Sequence, residues 1–229
     1  ALLVFGLLAG GWFLRARLAP GRRAQPQTQA QTRAIAAPSV TLAILPFRNA
    51  SGDAALDSLG PSVSDVLRTE LGQSSHVMTV PSNRVLQVLQ DLRIQPNTTP
   101  GPTELERVAD FTNARSVLWG QLTRFGEAIR IDATLQDLDK GQTTPLNAMA
   151  PNARDLLASI GTLADAVREN LAHGSTDVLK ELKSTSWKPS TSSFEALRLY
   201  NEGQQLTQQG NHQAALKSFE AATKIDDHF

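Results

Sequence analysis

The chain has 229 residues, and its 22 Lys+Arg are balanced by 22 Asp+Glu. A neutral chain carries no global field that would draw it to nucleic acid or to anionic surfaces. With no Cys, disulfides, thiolate metal sites and a cysteine nucleophile are excluded, and the redox compartment stays open.

Residues 1–14 (ALLVFGLLAGGWFL) carry no charge, and Arg15, Arg17, Arg22 and Arg23 follow them. An apolar run of this kind is either part of a transmembrane helix or the apolar core of a signal peptide. Signal peptides place their basic residues first. Here they come last, and Trp12 and Phe13 suit an interfacial belt, so a truncated membrane anchor over 1–19 is the reading favoured. Residues 20–39 contain AQPQTQAQTRAIAAP, whose Gln, Ala, Pro and Thr lack periodicity, as in a flexible linker.

Val40 to Phe47 (VTLAILPF) is a continuous apolar run, as in a strand covered on both faces. Asn49, Ser51, Gly52 and Asp53 form a turn-rich loop behind it. Ligand crevices of α/β sheets lie beyond the carboxyl ends of their strands, so Asn49, Ser51 and Asp53 are the candidate ligand contacts. Leu56 to Leu71 keeps helical spacing, and Gly60-Pro61 divides it or starts a new helix. Val77 to Val80 reads as a short strand, and Ser82 as the cap of a helix carrying Val85, Leu86, Leu89 and Leu92.

After a Pro-rich break at 95–102, Thr103 and Glu106 have capping-box spacing for a short helix to Thr112. Ala114 to Thr123 and Glu127 to Leu138 form a hairpin joined at Phe125-Gly126. In its second strand Ile129, Ile131, Ala133 and Leu135 alternate with polar residues, which predicts one dry face. Trp119 is expected in the core. Thr143 to Ala150 suggests a further strand, and Leu156 to Leu171 an amphipathic helix. Lys188-Pro189 and the serines after it break the chain before the last helices, so 176–193 is read as a spacer.

The run VTLAILPFRNASGD, followed by NARSVLWG (113–120), GEAIRIDATLQD (126–137) and Gly141, resembles the opening and body of the TolB amino-terminal-like domain, also called FlgO-like. The resemblance covers residues 40–175 and implies an α/β fold with a mixed sheet of four or five strands and packed helices.

Residues 194–229 bring Gly203 to a close helix approach, put Gly210-Asn211 at a turn, and repeat Ala215, Phe219 and Ala222 on one helix face. This stretch resembles a first tetratricopeptide repeat, an all-α helix–turn–helix unit. The resemblance places Leu197, Tyr200, Asn201, Gln204, Thr207 and Gln208 on a concave face for a protein or peptide partner. Tyr200 and Gln204 stand where some members carry a Lys/Asn carboxylate clamp, which favours a neutral or extended peptide. One repeat does not bury its own apolar faces, so Phe219, Ala222, Ile225 and Phe229 are expected to depend on further repeats. With no Met at the start and a lone repeat at the end, the sequence reads as a piece of a longer protein.

No phosphate loop, dinucleotide fingerprint or kinase catalytic motif occurs. His76, His173, His212 and His228 lack ligand spacing, so no metal, cofactor or catalytic residue is expected within the chain. This module beside such repeats implies a non-catalytic sensing segment of a membrane-anchored bacterial signalling protein, a Ser/Thr kinase with its catalytic domain upstream. The competing reading is a freestanding exported envelope binding protein. The soluble part is expected on the extracytoplasmic face, although the four Arg by themselves favour the cytosolic one.

Overall fold

The computed structural model describes residues 40–74, 76–184 and 191–229. The expected membrane helix and linker, and the centre of the expected spacer, lie outside these residues. Among the described residues no helix is long and apolar enough to cross a membrane.

The strands are β1 (Val40–Ile44), β2 (Arg48–Asn49), β3 (Val77–Thr79), β4 (Ser116–Phe125), β5 (Ala128–Asp137) and β6 (Gln142–Ala150). They form one sheet in the order β3-β1-β4-β5-β6, with β2 paired to β4. The sheet is mixed, as expected, but has six strands rather than four or five. The added one is the short β2, which pairs parallel with β4 through Arg48–Gln121 and Asn49–Leu122. β1 runs parallel to both β3 and β4, whereas β4, β5 and β6 are antiparallel neighbours.

The helices are α1 (Leu59–Leu71), α2 (Ser82–Asp91), α3 (Pro102–Thr112), α4 (Leu156–Leu171), α5 (Thr176–Ser184), α6 (Phe194–Gln208) and α7 (His212–Ile225). The main core lies on one face of the sheet, where Ile44, Ile129, Ile131, Leu118 and Leu122 meet α1 and α4. A second core lies on the opposite face, where Ala43, Leu45 and Val117 meet α2 and α3. That second layer stops at β4, so Arg130, Asp132, Thr134 and Gln136 of β5 stand on a more open face, as the alternation predicted. Gly126, at φ +63° in the β4–β5 turn, supplies the left-handed backbone that a tight hairpin needs.

Two helix starts differ from expectation. Ser82 is the first helical residue rather than the cap, because Pro81 holds the extended φ −57°, ψ 143° before it. Thr103 is likewise inside the helix: Pro102 occupies the first turn, and the Glu104 carboxylate accepts the Gly101 N–H at 2.8 Å. At the interface of α1 and α4, Arg168 is 2% exposed and donates from Nη2 to both the Glu70 carbonyl and Oε2, each at 2.8 Å. Its Nη1 reaches Asp165 Oδ1 at 2.8 Å, so both terminal nitrogens of the buried guanidinium are paired.

The helical hairpin does not stand apart from the α/β layers. Phe194 and Leu197 are 4% and 2% exposed and belong to the main core, as does Leu182 of α5, which lies in the stretch read as a spacer. Inside the hairpin, Gly203 lets the helices touch: an added Cβ would lie 2.5 Å from Phe219 Cε1. Of the residues expected to await a further repeat, Ala222 is already buried and Phe229 packs on Tyr200 and the main core, while Ile225 stays 48% exposed.

Candidate functional site

The loop candidates come together, but as a self-bonded turn. Asn49 Nδ2 donates to the Asp53 carbonyl at 2.7 Å and to Asp57 Oδ1 at 2.8 Å. Asn49 Oδ1 accepts from the Ser51 N–H at 3.0 Å and from its hydroxyl at 2.5 Å. Ser51 Oγ in turn accepts the Asp53 N–H at 3.2 Å. Asp53 Oδ2 pairs with Arg124 at 2.8 Å on the exposed end of β4. The polar atoms of Asn49 and Ser51 are spent on holding this turn.

The five candidates of α6 divide between two places. Tyr200 and Asn201 line a cleft of ≈ 610 Å³ together with Phe219, Phe229 and Thr69 of α1. Tyr200 is 39% exposed, and its ring centroid lies 5.6 Å from that of Phe219 and 5.2 Å from that of Phe229. Gln204 Nε2 donates to the Tyr200 hydroxyl at 2.8 Å, which fixes the ring's polar edge. Thr207 is turned back into its own helix, donating to the Gly203 carbonyl at 2.8 Å. Gln208 lies elsewhere, on a crevice shared with α1 and α2.

That crevice is a consequence of topology. β1 and β3 are parallel neighbours, yet the chain leaves β1 for α1 on the main-core face and leaves β3 for α2 on the other. The two exits diverge and open a gap of ≈ 940 Å³ beyond the strand ends. Arg68 braces its floor, donating from Nε to the Val80 carbonyl at 3.0 Å and from Nη2 to the Ile44 carbonyl at 2.9 Å. Its Nη1 pairs with Asp65, whose other oxygen accepts from Gln205 Nε2 of α6 at 3.2 Å. Burial pushes the Asp65 carboxyl up while the Arg68 charge pulls it back. Burial likewise holds the Arg68 guanidinium below its ordinary value. Pro81 supplies no side-chain cap at the start of α2, where Ser82 and Asn83 line the same gap and Asn83 Oδ1 accepts the Arg84 N–H at 2.8 Å.

A narrow recess of ≈ 20 Å³ adjoins the crevice, and the two share Pro46 and Pro96. Trp119 lines the recess; it is half-buried at the rim of the second core rather than enclosed within it. Its Nε1 is buried and has no hydrogen-bond partner among the described residues. Among the described residues no cluster of His, Asp or Glu could hold a metal ion.

Three features of this region escaped the sequence reading. The loop after β1 follows from local turn residues, but the gap itself depends on where β3 pairs, which is a non-local fact. Asp65 and Arg68 sit at helix spacing on a stretch otherwise read as apolar, and nothing local marks their shared burial. The apolar pattern of β4 places Trp119 in a strand, but whether its indole nitrogen finds a partner has no sequence signal.

No protein-family model matches the sequence, and no curated protein matches it either. Among solved structures, the chain is similar to the C-terminal domain of LpoB from Salmonella enterica, with TM-score 0.41 and 15% identity, over 49% of this chain and 83% of that one. It is similar to TolB from Acinetobacter baumannii with TM-score 0.40 and 18% identity, over 59% of this chain and 29% of that one, so it spans under a third of that protein. A lipoprotein from Neisseria meningitidis is similar with TM-score 0.38 and 17% identity, over 60% of this chain and 99% of that one.

Proposed function

We propose that this chain is a non-catalytic protein-interaction module of the bacterial envelope, tethered through residues 1–14, that holds a polypeptide partner against the first helix of its helical hairpin. The observation that carries the reading is the Tyr200–Asn201 cleft. It combines an exposed aromatic anchor, held by Phe219, Phe229 and Gln204, with a neutral amide on a rigid helix. Aromatic anchors on a fixed scaffold are what protein interfaces are built around. The one nucleophile-like grouping, Asn49-Ser51-Asp53, has its amide and hydroxyl committed to a turn, which supports a binding rather than a catalytic role. The balanced charge supports a protein rather than a nucleic-acid partner. The reading does not depend on an upstream kinase.

The test is site-specific photocrosslinking in cells of the source organism. A photoreactive residue at Tyr200 should give one discrete protein adduct, identified by mass spectrometry and lost on Asn201→Arg. The same residue at the exposed Lys217 of α7 should give none. Equal or absent crosslinking at the two positions would overturn the proposal.

A further inference from the structure

We infer that the recess beside Trp119 is a carboxylate-binding site, separate from the Tyr200 cleft, with Arg48 as its cation and the adjoining crevice holding the body of the same ligand.

Arg48 is the first observation. Four of the described arginines are not exposed: Arg48, Arg68, Arg168 and Arg198. Arg68 pairs with Asp65, Arg168 with Glu70 and Asp165, and Arg198 with Glu195 and Glu202. Arg48 has no carboxylate partner among the described residues. Its Nη2 donates to the neutral Gln121 Oε1, which leaves the other guanidinium N–H groups for a further acceptor. Drawing a cation part-way out of water without a counter-charge is unfavourable, so an anion from outside the chain completes the position.

Strand register puts this residue at the recess. Arg48 and Gln121 stand opposite each other on β2 and β4, so both project from one face of the sheet. Trp119, two residues before Gln121 in β4, projects from the same face and lines the recess together with Arg48.

Charge and size decide the anionic group. Among the described residues Arg48 is the only charged one lining the recess, where Leu89, Ile94, Thr99 and Trp119 are neutral. Walls of low polarity strengthen the field of a lone cation. One guanidinium neutralises one carboxylate and grips both its oxygens with a planar fork. A phosphate dianion would keep excess charge against the same walls. At ≈ 20 Å³ the recess has room for about one or two oxygen-sized groups, which suits a flat carboxylate better than a tetrahedral phosphate.

The crevice receives the rest of the ligand. It meets the recess at Pro46 and Pro96, and at ≈ 940 Å³ it lies within the range of ligand pockets. Its own charges, Asp65 and Arg68, pair with each other, so the ligand body needs no second charge. Leu86, 43% exposed, offers an apolar contact, while Gln208 and Gln209 offer amide donors and acceptors. A monocarboxylate with a neutral, partly apolar body matches both compartments. A free organic acid and the C-terminal residues of a polypeptide share that chemistry.

The probes are benzoate, its neutral analogue benzamide, inorganic phosphate, and a randomised library of neutral N-acetylated tetrapeptides. The library is made once with a free C-terminal carboxylate and once with a C-terminal amide. Binding to the full chain is read by isothermal titration calorimetry, and its location by backbone amide chemical shifts. Benzoate or the free-acid peptides should bind and should shift the amides of Arg48, Thr99 and Trp119. Benzamide, the peptide amides and phosphate should bind about tenfold more weakly or worse. Preference for benzoate over every peptide supports an organic acid as the source, and the reverse supports a polypeptide terminus. Arg48→Gln should weaken the best carboxylate about tenfold or more, and Arg48→Lys, which keeps the charge and loses the fork, should weaken it less. Thr99→Phe alters only the exposed loop at the recess and keeps the cation, so it should weaken binding in a chain whose far-UV circular dichroism matches the parent. Arg130→Gln removes an exposed arginine already paired with Asp132 and should leave the affinity unchanged. The inference is overturned if no carboxylate binds, if phosphate or the amides bind as tightly as the free acids, or if a folded Arg48→Gln keeps the parent's affinity. It is also overturned if Thr99→Phe has no effect, or if Arg130→Gln removes binding as fully as Arg48→Gln.

Discussion

Two glycines in helix interiors should respond to the same substitution with opposite sign. Gly161 lies within α4, and a Cβ added there meets nothing within 4 Å. Ala should therefore bring its full helix-propensity gain of about 0.5–1 kcal/mol, or a rise in Tm of about 1–4 °C for a chain of this size. Gly203 in α6 offers the same gain, but its Cβ would stand 2.5, 2.7 and 2.9 Å from Phe219 Cε1, Cδ1 and Cζ. The nearest contact is 0.9 Å short of the 3.4 Å at which ordinary contact begins (3.4 − 2.5). The ring cannot retreat freely, because Tyr200 packs on it at 5.6 Å. Overpacking of this kind costs about 1–3 kcal/mol, which exceeds the gain, so Gly203→Ala should lower stability by about 1 kcal/mol. Phe219→Leu should relieve the clash, giving a favourable coupling of at least about 0.5 kcal/mol in a double-mutant cycle. Thermal unfolding followed by far-UV circular dichroism reads all four proteins. A Gly203→Ala variant that melts above the parent, as Gly161→Ala should, would refute the close helix approach.

Ile131→Asp should cost about 4 kcal/mol or more in thermal or urea unfolding, because it puts an unpaired charge on a fully buried position of β5. Arg168→Met should cost about 3–5 kcal/mol by stranding Glu70, and adding Glu70→Leu should recover most of that loss in the same assay. Burial raises the Asp65 carboxyl above its ordinary 3.8. Its contribution to stability is therefore present below that value and lost as pH rises through the folded-state pKa. The stability of the parent relative to Asp65→Asn should accordingly fall between acid and neutral pH, and a difference that grows with pH would contradict the assigned burial.

The parts of the fold that were readable share a local cause. β5 alternates over its whole length because one face is dry, and Ile129, Ile131, Ala133 and Leu135 are all buried as that pattern requires. The Gly203–Phe219 contact follows from a small-large pairing at helix spacing. Helix starts shifted by a residue because Pro81 and Pro102 fix the backbone before the polar side chains of Ser82 and Thr103 can cap it. The Arg168–Glu70 pair was not legible, since a charge beside an apolar stripe ordinarily reads as its solvated margin. The same holds for the crevice: its α1 wall (Pro61 to Arg68) and its α2 wall (Ser82 to Leu86) lie on separate helices and meet only because β3 pairs with β1. Docking of α6 on the α/β layers turns on Phe194 and Leu197, whose spacing fits a hairpin core equally well.

The central claim is that α6 and the α/β layers form one cooperative unit, so that the Tyr200 cleft proposed as a partner site has a fixed wall. Hydrogen exchange at amide resolution measures this directly by comparing α6 with α4. Amides of Leu199 to Gln208 should exchange with free energies within about 1–2 kcal/mol of those in the centre of α4, near the global value expected of core elements. Fast exchange in α6 beside full protection in α4 would mean that the hairpin opens independently, and would contradict the account.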